Sequence, residues 1–217
     1  MKTRVLLVDD HKVMLEGLRA LLEGQPDLEV VGTATDGATA IELVGKLAPD
    51  VVVMDIGMPT LNGIETTRRI RAAHERVRVI ALSTHADKRY VHHMLDAGAA
   101  GYVLKIGAYD ELVRAVRAAA LRKTYLSPEI AGLVVERSTS AHPGRAVSAF
   151  STLGSREREV LQLVAEGGSS CEVAKAMHIS IKTVETHRRN IVQKLGLHGT
   201  ALLTKYAIRE GLTTVDE

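Results

Sequence analysis

Polar side chains that can do chemistry follow short apolar runs in the first half of the 217-residue chain. Asp9 and Asp10 follow one such run, and Asp55, Ser83 and Lys105 follow three others. Three carboxylates brought together repel one another unless a cation joins them, and Mg²⁺ suits one or two carboxylates plus a phosphoryl oxygen. In such a site a carboxylate can attack a phosphoryl group and hold it as an aspartyl phosphate, while metal and lysine neutralise the developing charge. Asp55 is the predicted nucleophile, Asp9 and Asp10 serve the metal, and Lys105 and Ser83 contact the phosphate.

These residues meet only if the runs before them are strands of one sheet. Helical stretches separate the runs, and strand alternating with helix predicts an α/β domain whose ligands bind at the carboxyl ends of a parallel sheet. Taken singly, paired aspartates at a strand end indicate no more than a solvated turn, so the coincidence of all the polar groups favours a site. The predicted strands are Arg4–Val8, Leu28–Ala34, Val51–Met54, Val77–Leu82 and Ala100–Leu104.

The last third of the chain carries a different pattern, which is helical throughout. On the helix predicted for Ile181–Leu195, apolar and polar residues separate onto two faces. An exposed stripe of Lys, Thr, Arg and Gln is suited to reading base edges in a major groove, although most such stripes are simply solvated surface. The inward residues are Val184, Ile191 and Leu195, and the outward stripe is Lys182, Thr186, Arg189 and Gln193. The other predicted helices are Arg156–Glu166, Ser170–Met177 and Thr200–Glu210.

Length and composition favour two globular domains in a reducing compartment. A chain of 217 residues with 46% hydrophobic residues can build two cores, and its net charge of +2 does not by itself indicate a nucleic-acid binder. Cys171 is the only cysteine, so an internal disulfide is impossible. The sequence shows neither a signal peptide nor an apolar stretch of about 18 residues. We therefore expect a cytoplasmic protein without a membrane span.

Composition also suggests where the domains end. The segment 137–149 is small, polar and contains Pro and Gly, which is typical of a linker. The prediction is a first domain over residues 1–122, a partly helical linker over 123–150 and a helical domain over 151–217.

The stretches LLVDDHKVMLEGLRALL, DVVVMDIGMPTLNGIE, VIALSTHAD and AGYVLK resemble the receiver domain of two-component response regulators. The resemblance implies a flavodoxin-like, doubly wound, five-stranded parallel sheet, and phosphorylation of Asp55 by a histidine kinase. It also implies that Asp10, Asp55 and the carbonyl of Gly57 bind Mg²⁺, with Asp9 acting through water. Ser83 and Tyr102 would be the switch pair, and Lys105 would contact the phosphoryl group. One departure is Ile106, because the residue after the lysine is usually acidic in this subfamily.

The helical segment, above all IKTVETHRRNIVQKLGL, resembles the four-helix LuxR-type DNA-binding domain, and the whole chain resembles the NarL/FixJ architecture. That resemblance implies a helix-turn-helix on promoter DNA, with dimerisation through the last helix. The implied base-edge residues are Glu185, Thr186 and Arg189, and the implied phosphate contacts are Lys182, Thr183 and Lys194. Gly168, Cys171 and Gly199-Thr200 stand where relatives often carry basic or polar residues, which predicts weaker phosphate anchoring.

Three functions remain open on these residues. The first is a transcriptional regulator without enzymatic turnover, in which phosphorylation promotes homodimerisation and binding to double-stranded promoter DNA. The second is a constitutive DNA-binding dimer that needs no phosphate. The third is an aspartyl-phosphate hydrolase, which typically needs a second acid two residues after the nucleophile. That position is Gly57, which argues against a hydrolase.

Overall fold

The structure is a computed structural model that describes residues 2–84, 86–106, 108–139 and 152–213. The chain divides into two compact units, Met1–Ala141 and His142–Glu217. Residues 140–151 lie outside the described part, and with them residues 140–150 of the predicted linker over 123–150.

The first unit alternates strands and helices around a parallel sheet. Its strands are β1 (Thr3–Val8), β2 (Leu28–Ala34), β3 (Val51–Asp55), β4 (Arg78–Ser83), β5 (Gly101–Leu104) and β6 (Tyr125–Leu126). Its helices are α1 (Lys12–Glu23), α2 (Gly37–Leu47), α3 (Gly63–Ala73), α4 (Lys88–Asp96), α5 (Ala108–Ala120) and α6 (Pro128–Thr139). The strand order is β2-β1-β3-β4-β5-β6. The α/β fold and all five predicted strands are confirmed, and the described part of the sheet adds a sixth strand that the sequence did not predict.

Burial of both sheet faces explains the apolar strands. All five residues of β3 are buried, because helices cover the sheet on each side. On α1, Leu15, Leu18 and Leu22 are buried at helical spacing and pack into the same core as Val5 and Val53. Burying each such leucine contributes about 1.5–3 kcal/mol, so this packing holds the strand ends in register.

The second unit consists of helices α7 (Ser155–Ala165), α8 (Ser170–Ala176), α9 (Ile181–Leu195) and α10 (Thr200–Arg209) in its described part. Side-chain caps fix where two of them begin: the Ser169 hydroxyl caps α8, and at the start of α9 the Ser180 hydroxyl accepts a hydrogen bond from the Thr183 N–H at 3.1 Å. Gly196 ends α9 in the left-handed conformation, where glycine is favoured. The four helices agree with the predicted ones to within one residue at each end.

Among the described residues, no helix combines the length and the apolar character that crossing a bilayer requires.

Candidate functional site

The parallel register places the carboxyl ends of β1, β3, β4 and β5 along one edge of the sheet. Val8 pairs with Met54, Asp55 with Leu82, and Ser83 with Leu104. Asp55 and Ser83 are therefore the last residues of adjacent strands, as predicted.

Lys105 joins two of the predicted acidic residues. Its Nζ lies 2.7 Å from Asp9 Oδ2 and 3.0 Å from Asp55 Oδ1. The three side chains are only 10%, 1% and 7% exposed, so water screens the contacts poorly. Burial alone would lower the pKa of Lys105, but the charges of Asp55 and Asp9 outweigh it and raise that pKa. The lysine is therefore a fixed cation beside Asp55.

Asp55 makes its contacts through only one of its two carboxylate oxygens among the described residues. The Ile56 N–H donates to Oδ1 at 2.9 Å, and Lys105 contacts the same atom. No described residue donates a hydrogen bond to Oδ2. Burial raises the pKa of Asp55, Lys105 lowers it, and the nearby carboxylates of Asp9 and Asp10 raise it again, so the net shift is upward. Asp55 is thus a crowded carboxylate with one oxygen left for chemistry.

The acidic residues at this edge have the donor set for a divalent cation. Asp9, Asp10, His11 and Asp55 each offer one ligand atom, and these atoms lie within 4.8 Å of one another. Asp10 Oδ1 is inaccessible to water and accepts no hydrogen bond from any described residue, so a cation there would give this oxygen a partner. Carboxylate oxygens suit Mg²⁺, so these residues fit the metal that receiver domains bind. His11, which sequence reasoning missed, lies with its Nδ1 3.0 Å from Asp10 Oδ1; its place directly after the two aspartates was the available signal.

A glycine that was not predicted to matter lies against the phosphoacceptor strand. A Cβ on Gly63 would lie 2.0 Å from the Asp55 carbonyl oxygen, so no larger residue fits without a backbone shift. The Gly63 N–H donates to the Ile56 carbonyl at 3.0 Å, and Asn62 caps α3 through the Glu65 N–H. The Asn-Gly pair at the start of α3 was the sequence signal for the close contact between Gly63 and the Asp55 backbone. Gly57, two residues after Asp55, is exposed.

The predicted switch residues contact each other. Tyr102 is fully buried, and its hydroxyl shares a hydrogen bond with the Ser83 side chain. Burial raises the pKa of Tyr102 far above its ordinary value of 10.0, so the phenol stays neutral. Next to the site, Ile106 is 85% exposed, so an apolar side chain lies at the surface where the family resemblance led us to expect an acid.

In the second unit, α9 presents the face predicted from its sequence. Val184 and Ile191 are buried at 0% and 1% exposure and pack into the core of the unit. The predicted DNA-contacting residues Lys182, Thr183, Glu185, Thr186, Arg189 and Lys194 are all exposed.

Two of the predicted DNA-contacting residues are already engaged with other helices of the unit. Lys194 Nζ lies 2.6 Å from Glu157 Oε2, which joins α9 to the start of α7. The Ser170 hydroxyl donates to Glu185, and Arg188 donates to the same hydroxyl at 3.3 Å. The side chains of Lys182 and Arg189 carry no such contact among the described residues, so both charges are available on this face.

Comparison with known proteins gives two family matches. Residues 5–117 match the response regulator receiver domain, and residues 151–207 match bacterial regulatory proteins of the luxR family. The transcriptional regulatory protein LiaR of Bacillus subtilis (strain 168) is 39% identical over 209 residues, covering 96% of this chain and 98% of LiaR.

Solved structures are similar over nearly the whole chain. RcsB from Salmonella enterica serovar Typhimurium, bound to promoter rprA with the phosphomimetic BeF3-, is 28% identical with a TM-score of 0.61. That match covers 95% of this chain and 98% of the RcsB chain. A structure of two RcsB dimers bound to two parallel DNAs is also 28% identical, with a TM-score of 0.60 and 97% and 99% coverage.

The two family matches agree with the two units and with the sites found in each. The matched proteins are regulators and not enzymes, which decides against the hydrolase alternative. The chain belongs to the NarL/FixJ family of two-component response regulators, in which a receiver domain precedes a LuxR-type DNA-binding domain.

Proposed function

We propose that Asp55 accepts a phosphoryl group from a histidine kinase and that this modification promotes dimerisation and promoter binding. The observation that carries the proposal is the pair of ion pairs from Lys105 Nζ to Asp9 and to Asp55. Lys105 contacts Asp55 through Oδ1, so Oδ2 has no hydrogen-bond partner among the described residues. A buried carboxylate beside a fixed cation is the arrangement that nucleophilic phosphoryl transfer requires.

In the proposed step, Asp55 Oδ2 attacks the phosphorus of a phosphohistidine on the kinase. The new P–O bond forms as the P–N bond breaks, and the departing imidazole keeps the electron pair and takes up a proton. Lys105 neutralises the charge of the transferred group, and Ser83 supplies a hydroxyl at the end of the next strand. Mg²⁺, held by Asp10, Asp55 and the Gly57 carbonyl with Asp9 acting through water, would supply charge neutralisation on the phosphoryl oxygens.

Phosphorylation would act on the rest of the chain through Ser83 and Tyr102. The two hydroxyls share a hydrogen bond, so a phosphoryl group that recruits Ser83 breaks one hydrogen bond of a buried phenol. The receiver then has two arrangements whose balance depends on the state of Asp55.

On DNA, α9 would lie in the major groove. Glu185, Thr186 and Arg189 would reach base edges, while Lys182, Thr183 and Lys194 would lie near phosphates. For Glu185 and Lys194 this requires giving up the contacts with Ser170 and Glu157. The similarity to RcsB bound to promoter DNA and to RcsB dimers on DNA supports promoter binding as a homodimer. Dimerisation would run through α10, as the family resemblance implies, and Leu202 on that helix is 49% exposed. A protein with these partners would act in the cytoplasm.

Sedimentation of the full chain with Mg²⁺, with and without beryllofluoride, tests the proposal. We expect the mimic to shift a monomer to a dimer, and we expect Asp55→Asn to abolish the shift. Asp27→Asn is the matched control, because Asp27 is an exposed acid paired with Arg117.

The alternative of a phosphorylation-independent dimer predicts a different result. Wild type would then sediment as the same species with and without the mimic, and Asp55→Asn would bind promoter DNA as tightly as wild type. Such a result would contradict the proposed switch.

A further inference from the structure

A basic cleft lies at the opposite edge of the sheet from Asp55. It has a volume of about 350 Å³ and lies where β1, β3 and β4 begin. Its charged lining consists of Lys2, Arg76, Arg78 and Arg122 with one acid, Asp50. The floor includes Ala119 and Ala120, two small residues that leave the space open.

Four positive side chains face a single acid, Asp50, in the cleft, so three positive charges are not compensated by a lining residue. Asp50 Oδ2 also accepts a hydrogen bond from the Arg4 backbone N–H at 2.9 Å. None of the four cations forms an ion pair with any acid in the described part of the chain. Like charges held together repel, so the cleft attracts an anion from solution.

Arg78 has an unused donor at the start of β4. Its Nε is inaccessible to water and has no hydrogen-bond partner among the described residues. Burial lowers the pKa of Arg78, and the positive charges of Arg71 and Arg122 lower it further. An anion bound in the cleft would neutralise the charge of this guanidinium.

Arg122 adopts a backbone conformation that favours glycine. Its φ is +58°, in the left-handed region, and its N–H donates to the Ala119 carbonyl at 2.9 Å where α5 ends. Glycine is the residue that this helix-ending turn accommodates without strain, whereas a side chain there costs about 1 kcal/mol. Arginine at this position makes the protein less stable than glycine would. Its presence is explained if its positive charge binds a ligand.

We propose that the cleft binds the diphosphate or triphosphate group of a small molecule. Arginine forks match phosphate oxygens two at a time, and a group with several charges matches several uncompensated cations better than a single phosphate does. A volume of about 350 Å³ is also within the range of small-molecule sites. Inorganic pyrophosphate and a nucleotide share this chemistry. The site is separate from the phosphoacceptor edge and does not depend on the proposed function.

Calorimetric titration of the full chain with inorganic pyrophosphate, in EDTA and at low salt, tests the proposal. We expect saturable binding at one site, and we expect Arg122→Gly and Arg78→Gln each to weaken it about tenfold through loss of a charge-assisted contact. Arg122→Gly should unfold at the same temperature as wild type or higher, which separates lost binding from lost structure. Arg19→Gln, which removes a charge outside the cleft, and Asp55→Asn should leave the affinity unchanged.

Parallel titrations with ADP and with a short DNA duplex identify the source of the anion. Tighter binding of ADP than of pyrophosphate, still dependent on Arg122, supports a nucleotide, and equal affinities support the inorganic anion. The proposal is overturned if wild type shows no saturable binding of either compound, or if binding survives the combined Arg78→Gln and Arg122→Gly changes. Arg122-dependent binding of the duplex alone would also overturn it.

Discussion

Replacing Lys105 with methionine removes the cation that joins Asp9 to Asp55. The side chains of these carboxylates are 1% and 7% exposed, and Lys105 contacts them at 2.7 and 3.0 Å. Breaking a buried ion pair by removing one partner costs 3–5 kcal/mol. Here Asp55 can take up a proton, since its pKa is already raised, so the expected loss is about 2–4 kcal/mol.

Scanning calorimetry of the full chain in EDTA measures this loss. For a unit the size of Met1–Ala141, about 3 kcal/mol corresponds to an unfolding temperature lower by roughly 10 °C. Amide hydrogen exchange of peptides from β1 and β3 assigns the change to the first unit. Adding Mg²⁺ should shrink the difference, because a bound divalent cation neutralises the same carboxylates.

Lys46→Met is the matched control. Lys46 forms an ion pair with Glu42 on α2, but both side chains are more than half exposed, and such a pair contributes less than about 1 kcal/mol. If Lys105→Met and Lys46→Met lower the unfolding temperature in EDTA equally, Lys105 does not neutralise the acidic site and the reasoning is refuted.

Three further changes test other contacts. Asp55→Asn should raise the unfolding temperature in EDTA at neutral pH. Three carboxylates share one lysine there, and the raised pKa of Asp55 means that its charged form is unfavourable in the folded protein. The gain should vanish below pH 3.8, because the Asp55 carboxyl of wild type is then protonated as well. Gly63→Ala should cost about 2 kcal/mol or more by urea unfolding, since its Cβ would meet the Asp55 carbonyl, whereas Gly17→Ala, in open space on α1, should not destabilise. Glu157 has a lowered pKa, set by Lys194 and the Gly154 N–H against the opposing effect of burial, so its contribution to stability is present above pH 4.5 and lost as the pH falls further. Glu157→Gln should remove that pH dependence from the unfolding of the second unit, and an unchanged pH profile would contradict the assignment.

The sequence predicted the elements whose pattern is local. The buried run of β3 and the two faces of α9 are properties of residues close together in the chain, and burial followed both patterns. Strand β6 is different, because Tyr125–Leu126 is too short to have a pattern. It forms because Gly101 on β5 has no side chain, and a Cβ there would lie 2.5 Å from the Tyr125 carbonyl oxygen. That pairing depends on tertiary contact, which local patterns do not encode.

The sequence predicted which residues lie together in the candidate site, but not which of them contact one another. A parallel sheet brings residues at strand ends to one edge, so Asp9, Asp55 and Lys105 could be placed together from the sequence. Which carboxylates Lys105 would contact depends on side-chain packing. The ion pair between Lys194 and Glu157 was missed for the same reason, since 37 positions separate the partners. The basic cleft was missed because its cations come from three separate parts of the chain.

The polarity of the parallel sheet accounts for opposite charges at its two edges. Helices that follow parallel strands begin at the carboxyl edge and end at the amino edge, so their partial positive ends lie near Asp10 and their partial negative ends near Arg122. Each helix end carries only about half a charge. The helix ends therefore reduce the repulsion between like charges at each edge, but they do not neutralise a cleft that has three uncompensated positive charges. At the acidic edge Lys105 neutralises part of the negative charge, and the remaining carboxylates fit a divalent cation. At the basic edge no described residue does so, and a bound anion is the counter-charge that the fold itself does not provide.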